Sequence, residues 1–256
     1  MGSSPLQLHG LTKMFGRVAA VNRVSVRIES GERHAIVGPN GAGKTTLFNL
    51  VSGIHRPTSG RVGLFGQDVS RMAVHRRAAM GLARTFQITN LFESLTVLDN
   101  VLLAAQARER CRFHFHKPLS RYSGLKERVE VILEQWGLTA KRDLVVSSLS
   151  YGDQRQLEVI MALANDPRLL LLDEPTAGLS PSETGEMTRF LCRLDEAITI
   201  LLIEHDMDVV FSVADRVTVM HYGTVIADGP ADEIREDPEV TAIYLGEGLN
   251  RHVDGR

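Results

Sequence analysis

The chain has 256 residues, of which 43% are hydrophobic and 23% charged, and its formal net charge at pH 7 is −2. These values are typical of a globular protein with a sizeable core, and they exclude a global basic field that would gather nucleic acid or anionic lipid. The two cysteines, Cys111 and Cys192, have no CxxC spacing, so we expect neither a disulfide framework nor a structural zinc site.

Strand patterns open the chain over residues 6–12 and 18–28, with Phe15-Gly16 in the turn between them. A short strand over 32–37 follows and leads into a glycine-rich segment. The pattern beyond that segment predicts a helix over 44–52, a strand over 61–65, a helix over 73–80 and a strand over 82–86 that ends at Gln87.

The glycine-rich segment, residues 38–45, fits the phosphate-loop pattern G-x-x-x-x-G-K-[ST] at every position. Its glycines let backbone N–H groups point at phosphate oxygens, while the lysine can bind the β/γ oxygens and the threonine hydroxyl can bind Mg2+. The alternative, a chance glycine-rich turn, is disfavoured by the strand before it and the helix after it. The nucleotide-binding residues predicted here are Gly38, Pro39, Asn40, Gly41, Ala42, Gly43, Lys44, Thr45 and Thr46.

The periodicity becomes mostly helical over residues 95–164, which predicts a helical lobe inserted into an α/β core. A capping box, Thr96-x-x-Asp99, begins the first helix of this lobe. A basic and aromatic stretch over residues 108–121 separates its first and second helices.

The core resumes with a continuous apolar run over 169–172, which is typical of a parallel strand buried on both faces. Asp173 follows this strand and is placed to hold Mg2+ through water, while Glu174 is placed to polarise an attacking water as general base. The alternative is a strand followed by an exposed acidic turn. The remaining pattern predicts a helix over 181–194, a strand over 199–203, a helix over 207–214, strands over 217–220 and 224–227, and two short terminal helices.

Two further motifs could face the same phosphates. Ser150 is predicted as a helix N-cap with Asp153 at the third helical position. This capping box needs no function, but the free N–H groups, the hydroxyl and the positive dipole there suit a γ-phosphate. His205 follows a strand, where an imidazole could touch the γ-phosphate and sense its loss, although a lone histidine is otherwise an ordinary loop residue.

Together with Gln87, these motifs resemble the ATP-binding cassette (ABC) ATPases over nearly the whole chain and in the family's order. The resemblance implies an α/β fold in a single domain over 1–256: a P-loop NTPase (RecA-like) core with an antiparallel β subdomain and an inserted α-helical subdomain. The core with its β subdomain is expected over about 1–90 and 166–227, the helical subdomain over about 91–165 and a C-terminal helical tail over about 228–256. Segments 149–158, 173–181, 203–208 and 244–247 resemble the ATPase subunits of branched-chain amino acid importers.

The resemblance implies a role for each motif in binding ATP and Mg2+. Phe15 would stack on adenine, and residues 38–46 would hold the phosphates. Gln87 would contact Mg2+ or the attacking water, with Thr45 and Asp173 as the other magnesium residues.

The catalytic residues implied are Glu174 as the base and His205 as the γ-phosphate switch, together with Gln87. Ser150 and Gly152 would act in trans, on ATP held by an opposing subunit, and Asp153 is counted with them as nucleotide-binding. A single cassette therefore implies a dimer with two ATP molecules between its subunits.

Three residues depart from the family pattern. Tyr151 replaces a common glycine, a change that we expect to be harmless. Asp153 stands where glutamine is usual, and we expect the helix dipole and Arg155 to moderate its repulsion of a phosphate. Ser180 stands where aspartate is frequent, which puts the cross-subunit coupling there in question.

The function implied is that of the ATP-hydrolysing subunit of an importer for branched-chain or related amino acids. Its partners would be a second ABC ATPase subunit, the same chain or a paralogue, two transmembrane permease subunits, and an extracellular or periplasmic substrate-binding protein, with no nucleic acid. We expect it on the cytoplasmic side of the plasma (inner) membrane through the permease, since no apolar run approaches ~18 residues and residues 1–5 lack a signal-peptide pattern.

Three alternatives to this function stay open at this point. One is an ABC ATPase for another cargo, such as urea or another amide. Another is a soluble cassette acting on ribosomes or DNA, although such proteins usually carry two cassettes or a long coiled coil in the lobe. The third is a regulatory module that binds ATP without hydrolysing it, which an intact Glu174 and His205 argue against.

The resemblance also implies a groove between core and lobe that receives a short permease helix. Plain core packing is the alternative for its apolar residues. The segment 113–116, Phe-His-Phe-His, is expected to be a solvated or permease-facing hairpin rather than a metal site, because no third ligand lies nearby. The candidate groove contacts are Phe86, Leu91, Phe92 and Leu95.

Overall fold

The computed structural model describes residues 4–85, 91–106, 123–238 and 240 of the chain, and within them the strands form one sheet of four and one of six. The strands are β1 (Leu6–Phe15), β2 (Val18–Ile28), β3 (Arg33–Val37), β4 (Ser59–Leu64), β5 (Gln67–Asp68), β6 (Leu82–Arg84), β7 (Leu169–Asp173), β8 (Thr199–Ile203), β9 (Arg216–His221) and β10 (Thr224–Pro230). The helices are α1 (Lys44–Ser52), α2 (Val74–Ala79), α3 (Val97–Gln106), α4 (Ser123–Gln135), α5 (Tyr151–Leu163), α6 (Pro181–Cys192), α7 (Met207–Val213) and α8 (Ala231–Glu236).

The six-stranded sheet has the order β10-β9-β3-β8-β7-β6 and is parallel except for β10, which pairs antiparallel to β9. Every residue of β7 and β8 is buried, as expected for continuous apolar strands covered on both faces. Because β3, β7, β8 and β9 run in the same direction, the segments that follow them meet at one edge of the sheet.

The four-stranded sheet is antiparallel and has the order β2-β1-β4-β5. One buried apolar cluster contains residues of this sheet, of α1, and of β7 and β8, which lie on the opposite side of α1. Helix α1 is therefore held on both sides by apolar contacts, which fixes the loop that precedes it. Members of this cluster include Leu6, Val26, Ile28, Leu47, Phe48, Val62, Leu169 and Leu201.

Helices α3, α4 and α5 pack together through the apolar stripes that the periodicity predicts. Their cluster is continuous with β7, β8 and α6, and the rings of Trp136 and Phe190 meet edge to face at 4.9 Å between centroids. At the start of α3, the backbone N–H of Asp99 donates to Thr96 Oγ1 at 3.1 Å, which confirms the predicted cap.

Most predicted elements are confirmed within a few residues, and α1 and β8 begin and end as predicted. Strand β5 was not predicted, because a two-residue strand carries no readable period. The helix predicted over 181–194 ends at Cys192. Phe86, Gln87, the 108–121 stretch and most of the C-terminal tail lie outside the described residues. No helix in the described part is long and apolar enough to cross a membrane.

The C-terminal end of α1 is tied to α2 by a buried arginine. The Arg77 guanidinium donates to the carbonyls of Leu50 and Val51 in the last turn of α1, both at 2.7 Å, and also to those of Val69 and Met72. Carbonyls at a helix C-terminus have no partner within the helix, and they carry the negative end of its dipole. Burial lowers the pKa of Arg77 to about 10, so the group stays charged at neutral pH.

Replacing Arg77 with methionine is expected to lower the free energy of unfolding by about 3 kcal/mol, because four carbonyls, three of them at buried residues, lose their donor. Urea denaturation measures the change. Arg76 is its exposed neighbour on the same helix, so Arg76→Met is the matched control and should shift stability by less than about 0.5 kcal/mol. Equal stabilities for the two variants would show that Arg77 does not hold α1 in place.

Candidate functional site

Three predicted motifs lie together at the carboxyl edge of the parallel sheet. Ile203 in β8 is paired with Ile36 in β3 and with Asp173 in β7. The phosphate loop, residues 38–45, follows β3, while Glu174 follows β7 and the Glu204-His205 pair follows β8. The carboxyl edge of such a sheet is where α/β proteins bind ligands.

The phosphate loop has the backbone that its glycines predict. Gly38, Gly41 and Gly43 have φ angles of 147°, 81° and 100°. A Cβ at Gly38 would lie 2.1 Å from the carbonyl oxygen of Met220, and one at Gly43 would lie 2.2 Å from that of Ala20. Glycine is therefore required at both positions for steric reasons as well as for φ.

Lys44 begins α1 and is buried, and its ammonium group donates to the carbonyls of Gly38 and Pro39. Its positive charge thus lies within the loop and beside the N-terminal end of α1, where the helix dipole adds to it.

The other predicted loop residues complete a tight turn that leads into α1. The Ala42 N–H donates to the Pro39 carbonyl at 3.1 Å, around an exposed Asn40. Thr45 and Thr46 lie in the first turn of α1, with Thr45 exposed. A hydroxyl at this place is available to an ion bound beside the loop.

Asp173 is buried and pairs with an arginine that the sequence did not single out. Its Oδ2 accepts from Arg84 Nη2 at 2.8 Å, and Arg84 Nη1 also donates to Asn49 and Ser52 on α1. Arg84 therefore fixes β7 against the helix that carries the phosphate loop.

The donor set at this edge fits Mg2+, which prefers oxygen ligands and keeps several waters. None of the described residues donates to Asp173 Oδ1, and the Thr45 hydroxyl is exposed. Among the residues described, no three His, Cys, Asp or Glu cluster as a metal site, but a magnesium ion bound mainly to phosphates and water needs no such cluster. Gln87, the third predicted magnesium residue, lies outside the described part.

Glu174 has a left-handed backbone, with φ of 49°, and is half-buried. Its N–H donates to the Ile203 carbonyl at 2.9 Å, which holds the turn after β7 against the end of β8. A non-glycine residue held in this region is strained, and such strain is concentrated at functional sites.

Glu204 connects the loop after Glu174 with His205. Its side chain is fully buried and accepts from the N–H of Thr176 at 3.0 Å, from the Thr176 hydroxyl and from the His205 N–H at 3.0 Å. The His205 side chain is 63% exposed, and its Nδ1 lies 3.7 Å from Glu204 Oε2. The sequence included Glu204 in a motif but gave it no role.

The signature segment, residues 149–153, precedes and begins α5. Ser150 is the N-cap, and its Oγ accepts from the Asp153 N–H at 3.1 Å, as the capping box predicts. The Asp153 carboxylate, whose repulsion of a phosphate we expect the helix dipole and Arg155 to moderate, pairs with Lys141 at 2.6 Å, while Arg155 pairs with Glu158 at 3.0 Å. A distant lysine reaches Asp153 because the turn before α5 folds over the helix start.

The predicted adenine residue, Phe15, is half-exposed at the end of β1. Its ring meets His55 edge to face at 5.4 Å, and the Lys13 ammonium lies 5.1 Å from its centroid. Phe15 pairs with Val18 in β2, and the same strand places the Ala20 carbonyl against the phosphate loop. Strands β1 and β2 therefore lie against one side of the phosphate loop.

Comparison with known proteins decides the family. Residues 21–177 match the family described as "ABC transporter", which is more than half of the chain. The chain belongs to the ABC transporter family. Residues 224–249 of this cassette match a second family, described as "Branched-chain amino acid ATP-binding cassette transporter".

The cassette is similar to curated proteins along almost its full length. It is 39% identical over 250 residues to the high-affinity branched-chain amino acid transport ATP-binding protein BraF of Pseudomonas aeruginosa, covering 94% of this chain and 98% of that one. It is also 39% identical over 254 residues to the corresponding LivG of Escherichia coli, covering 96% and 100%.

The fold class expected for an ABC ATPase is confirmed by solved structures. The ADP conformation of MJ1267, an ATP-binding cassette of an ABC transporter, matches with a TM-score of 0.84 and 30% identity, over 95% of this chain and 99% of that chain.

Proposed function

We propose that this cassette hydrolyses ATP to drive uptake of branched-chain or related amino acids through separate permease subunits. The observation that carries the cargo class is the match of residues 224–249 to the branched-chain family, together with relatives named for that transport. The phosphate loop and the two carboxylates at the end of β7, Asp173 and Glu174, support the hydrolysis.

ATP is bound by residues 38–46, with the β- and γ-phosphates over the phosphate loop and adenine against Phe15. Lys44 supplies the fixed positive charge, and the N-terminal N–H groups of α1 supply hydrogen bonds. Thr45, Asp173 and Gln87 would hold Mg2+, which would supply positive charge against the phosphate oxygens.

Glu174, whose backbone is left-handed just after β7, accepts the proton of the attacking water. His205 contacts the γ-phosphate and reports its loss. Glu204 positions both, because it holds the Thr176 loop and the His205 backbone with one buried carboxylate.

The Glu204→Gln variant is expected to hydrolyse ATP with a kcat about tenfold lower, because a small misplacement of catalytic groups is costly. Its free energy of unfolding should fall by about 1–3 kcal/mol, since the new amide donors face existing donors. Steady-state kinetics and urea denaturation measure the two effects. Glu196→Gln, an exposed change of the same kind, is the control. A kcat equal to that of the control would remove Glu204 from the mechanism.

We infer a dimer in which Ser150, Gly152 and Asp153 of one cassette meet the ATP of the other. Within its own subunit the signature segment contacts Lys141 and Glu183 of α6, and the exposed Ser150 accepts from the Asp153 N–H through its hydroxyl oxygen. ATP closes the dimer and hydrolysis opens it, and this motion is the output delivered to the permease. The second cassette is the same chain or a paralogue.

A groove of about 750 Å3 between α2, β6 and the helical region is a docking place for a permease helix. Its wall is mainly apolar and includes Val74, Leu82, Leu91, Met161 and Ala162. Phe92, the next residue after the lining residue Leu91, is exposed, and the buried Asn100 amide bonds both of its backbone groups. Leu95 is partly buried in the same turn, and Phe86 lies outside the described residues.

This docking would hold the cassette on the cytoplasmic side of the plasma membrane, with two permease subunits and an extracellular or periplasmic substrate-binding protein beyond them. The parts of the cassette divide the work. Residues of about 1–90 and 166–227 bind and hydrolyse ATP, those of about 91–165 carry the signature segment to the partner, and those of about 228–256 form a tail.

Co-purification tests the proposal. Tagged Glu174→Gln protein is expressed in the native host, membranes are solubilised gently with ATP present, and mass spectrometry identifies what is retained, with the tag alone as control. We expect two polytopic permease subunits and a second cassette. Recovery of ribosomal proteins or DNA-repair factors without any membrane protein would overturn the transport function and leave the ATPase chemistry standing.

A further inference from the structure

One carboxylate joins the N-terminal ends of α5 and α6. Glu183 lies in the first turn of α6, and its Oε2 accepts from the Ser180 N–H at 3.0 Å and from the Ser180 hydroxyl at 2.6 Å. Its other oxygen, Oε1, accepts from the Gly152 N–H in the signature segment at 3.1 Å. The first contacts form a capping box, which needs only one oxygen of the side chain.

The contact with Gly152 is close and depends on glycine. A Cβ at Gly152 would lie 3.0 Å from Glu183 Oε1. The hydrogen bonds from Ser180 and Gly152 lower the pKa of Glu183, so it is an anion at neutral pH. An anion therefore already accepts from the N–H at the start of α5, where the dipole of a 13-residue helix favours negative charge.

We propose that the Glu183 carboxylate sets the affinity for ATP at the site that the two subunits form together. Without ATP, this carboxylate accepts a hydrogen bond from the Gly152 N–H of its own subunit. It leaves that N–H when the γ-phosphate of the partner's ATP arrives. This inference rests on the proposed function, in which Gly152 faces the nucleotide of the opposing subunit. One N–H makes one strong hydrogen bond, and two anions that approach the same N–H repel each other. Glu183 acts through Gly152 and is a positioning residue.

The exchange also links two parts of the site. Glu183 keeps its bonds to Ser180, which lies in the loop after Glu174. Moving the carboxylate off Gly152 therefore acts on the loop that carries the general base. Binding of the partner's ATP to the signature segment of one subunit thus affects the turn that carries Glu174 in the same subunit.

Glu183→Gln separates this role from simple capping, because glutamine also forms a capping box but carries no charge. ATP hydrolysis by the full chain is measured against ATP concentration, and ADP binding is measured by equilibrium dialysis. We expect the ATP concentration for half-maximal rate to fall by about fivefold while ADP affinity is unchanged, since ADP has no γ-phosphate. Glu186→Gln, an exposed loss of the same charge on α6, should change neither value.

Two outcomes would overturn the proposal. One is a half-saturating ATP concentration that is unchanged or raised in Glu183→Gln. The other is a change in ADP affinity that parallels the change for ATP, which would indicate a structural effect. A melting temperature within about 2 °C of the wild type shows that the cap is retained. The wild-type turnover reports separately on the proposed function, because a chain that hydrolyses no ATP would contradict that function whatever the effect of Glu183.

Discussion

Replacing Glu174 with glutamine is expected to lower the kcat of ATP hydrolysis by about a hundredfold to ten-thousandfold, the range of a positioned general base. Glutamine is isosteric but cannot accept the proton of the attacking water. The carboxylate makes none of the contacts assigned to ATP binding, so ATP affinity should be retained and the ATP-bound dimer should accumulate. Single-turnover hydrolysis and size-exclusion chromatography with ATP measure the two effects.

Glu134→Gln is the matched control for this variant, because Glu134 is an exposed carboxylate on α4 away from the carboxyl edge of the sheet. It should hydrolyse ATP at the wild-type rate. If Glu174→Gln turned over ATP as fast as Glu134→Gln, another group would have to be the base, and the strained turn after β7 would need a different explanation.

Removing the charge of Lys44 is expected to weaken ATP binding by about a hundredfold or more, because a charge-assisted contact to the phosphates is lost. Lys44→Met keeps most of the volume of a side chain that is buried within the phosphate loop. The variant also leaves the carbonyls of Gly38 and Pro39 without their ammonium donor, so the loop itself should loosen. Isothermal titration calorimetry with ATP measures the affinity.

The exposed Lys126 provides the control, since Lys126→Met removes the same charge far from the loop. Lys44→Met and Glu174→Gln should lose different steps of the reaction. Lys44→Met should bind ATP poorly, whereas Glu174→Gln should bind ATP but hydrolyse it very slowly. Tight ATP binding by Lys44→Met would contradict the assignment of residues 38–46 as the phosphate site.

The elements that carry strong local patterns were predictable from the sequence. Helix α1, predicted over roughly 44–52, and strand β8, predicted over 199–203, are found at those positions, because a glycine turn fixes the start of α1 and Glu204 ends the apolar run of β8. The caps at Ser150 and Thr96 are short-range hydrogen bonds and follow from residue type.

Contacts between distant residues were not predictable in the same way. Arg84 and Asp173 are 89 positions apart, and Thr176 and Glu204 are 28 apart, so no local spacing reveals either pair. Lys141, the ion-pair partner of Asp153, is 12 positions away on a preceding turn and was not predicted. Tertiary packing decides which distant residues pair. The periodicity of a single sequence does not reveal that packing.

The central claim is that ATP hydrolysis by this cassette drives amino acid uptake, and uptake of labelled leucine by the native host tests it most directly. Cells lacking the gene are supplied with the wild type or with Glu174→Gln at equal protein levels. The wild type should restore ATP-dependent uptake, and Glu174→Gln should leave it at the level of the deleted strain. Equal uptake with both proteins, or no restoration by the wild type, would contradict the account.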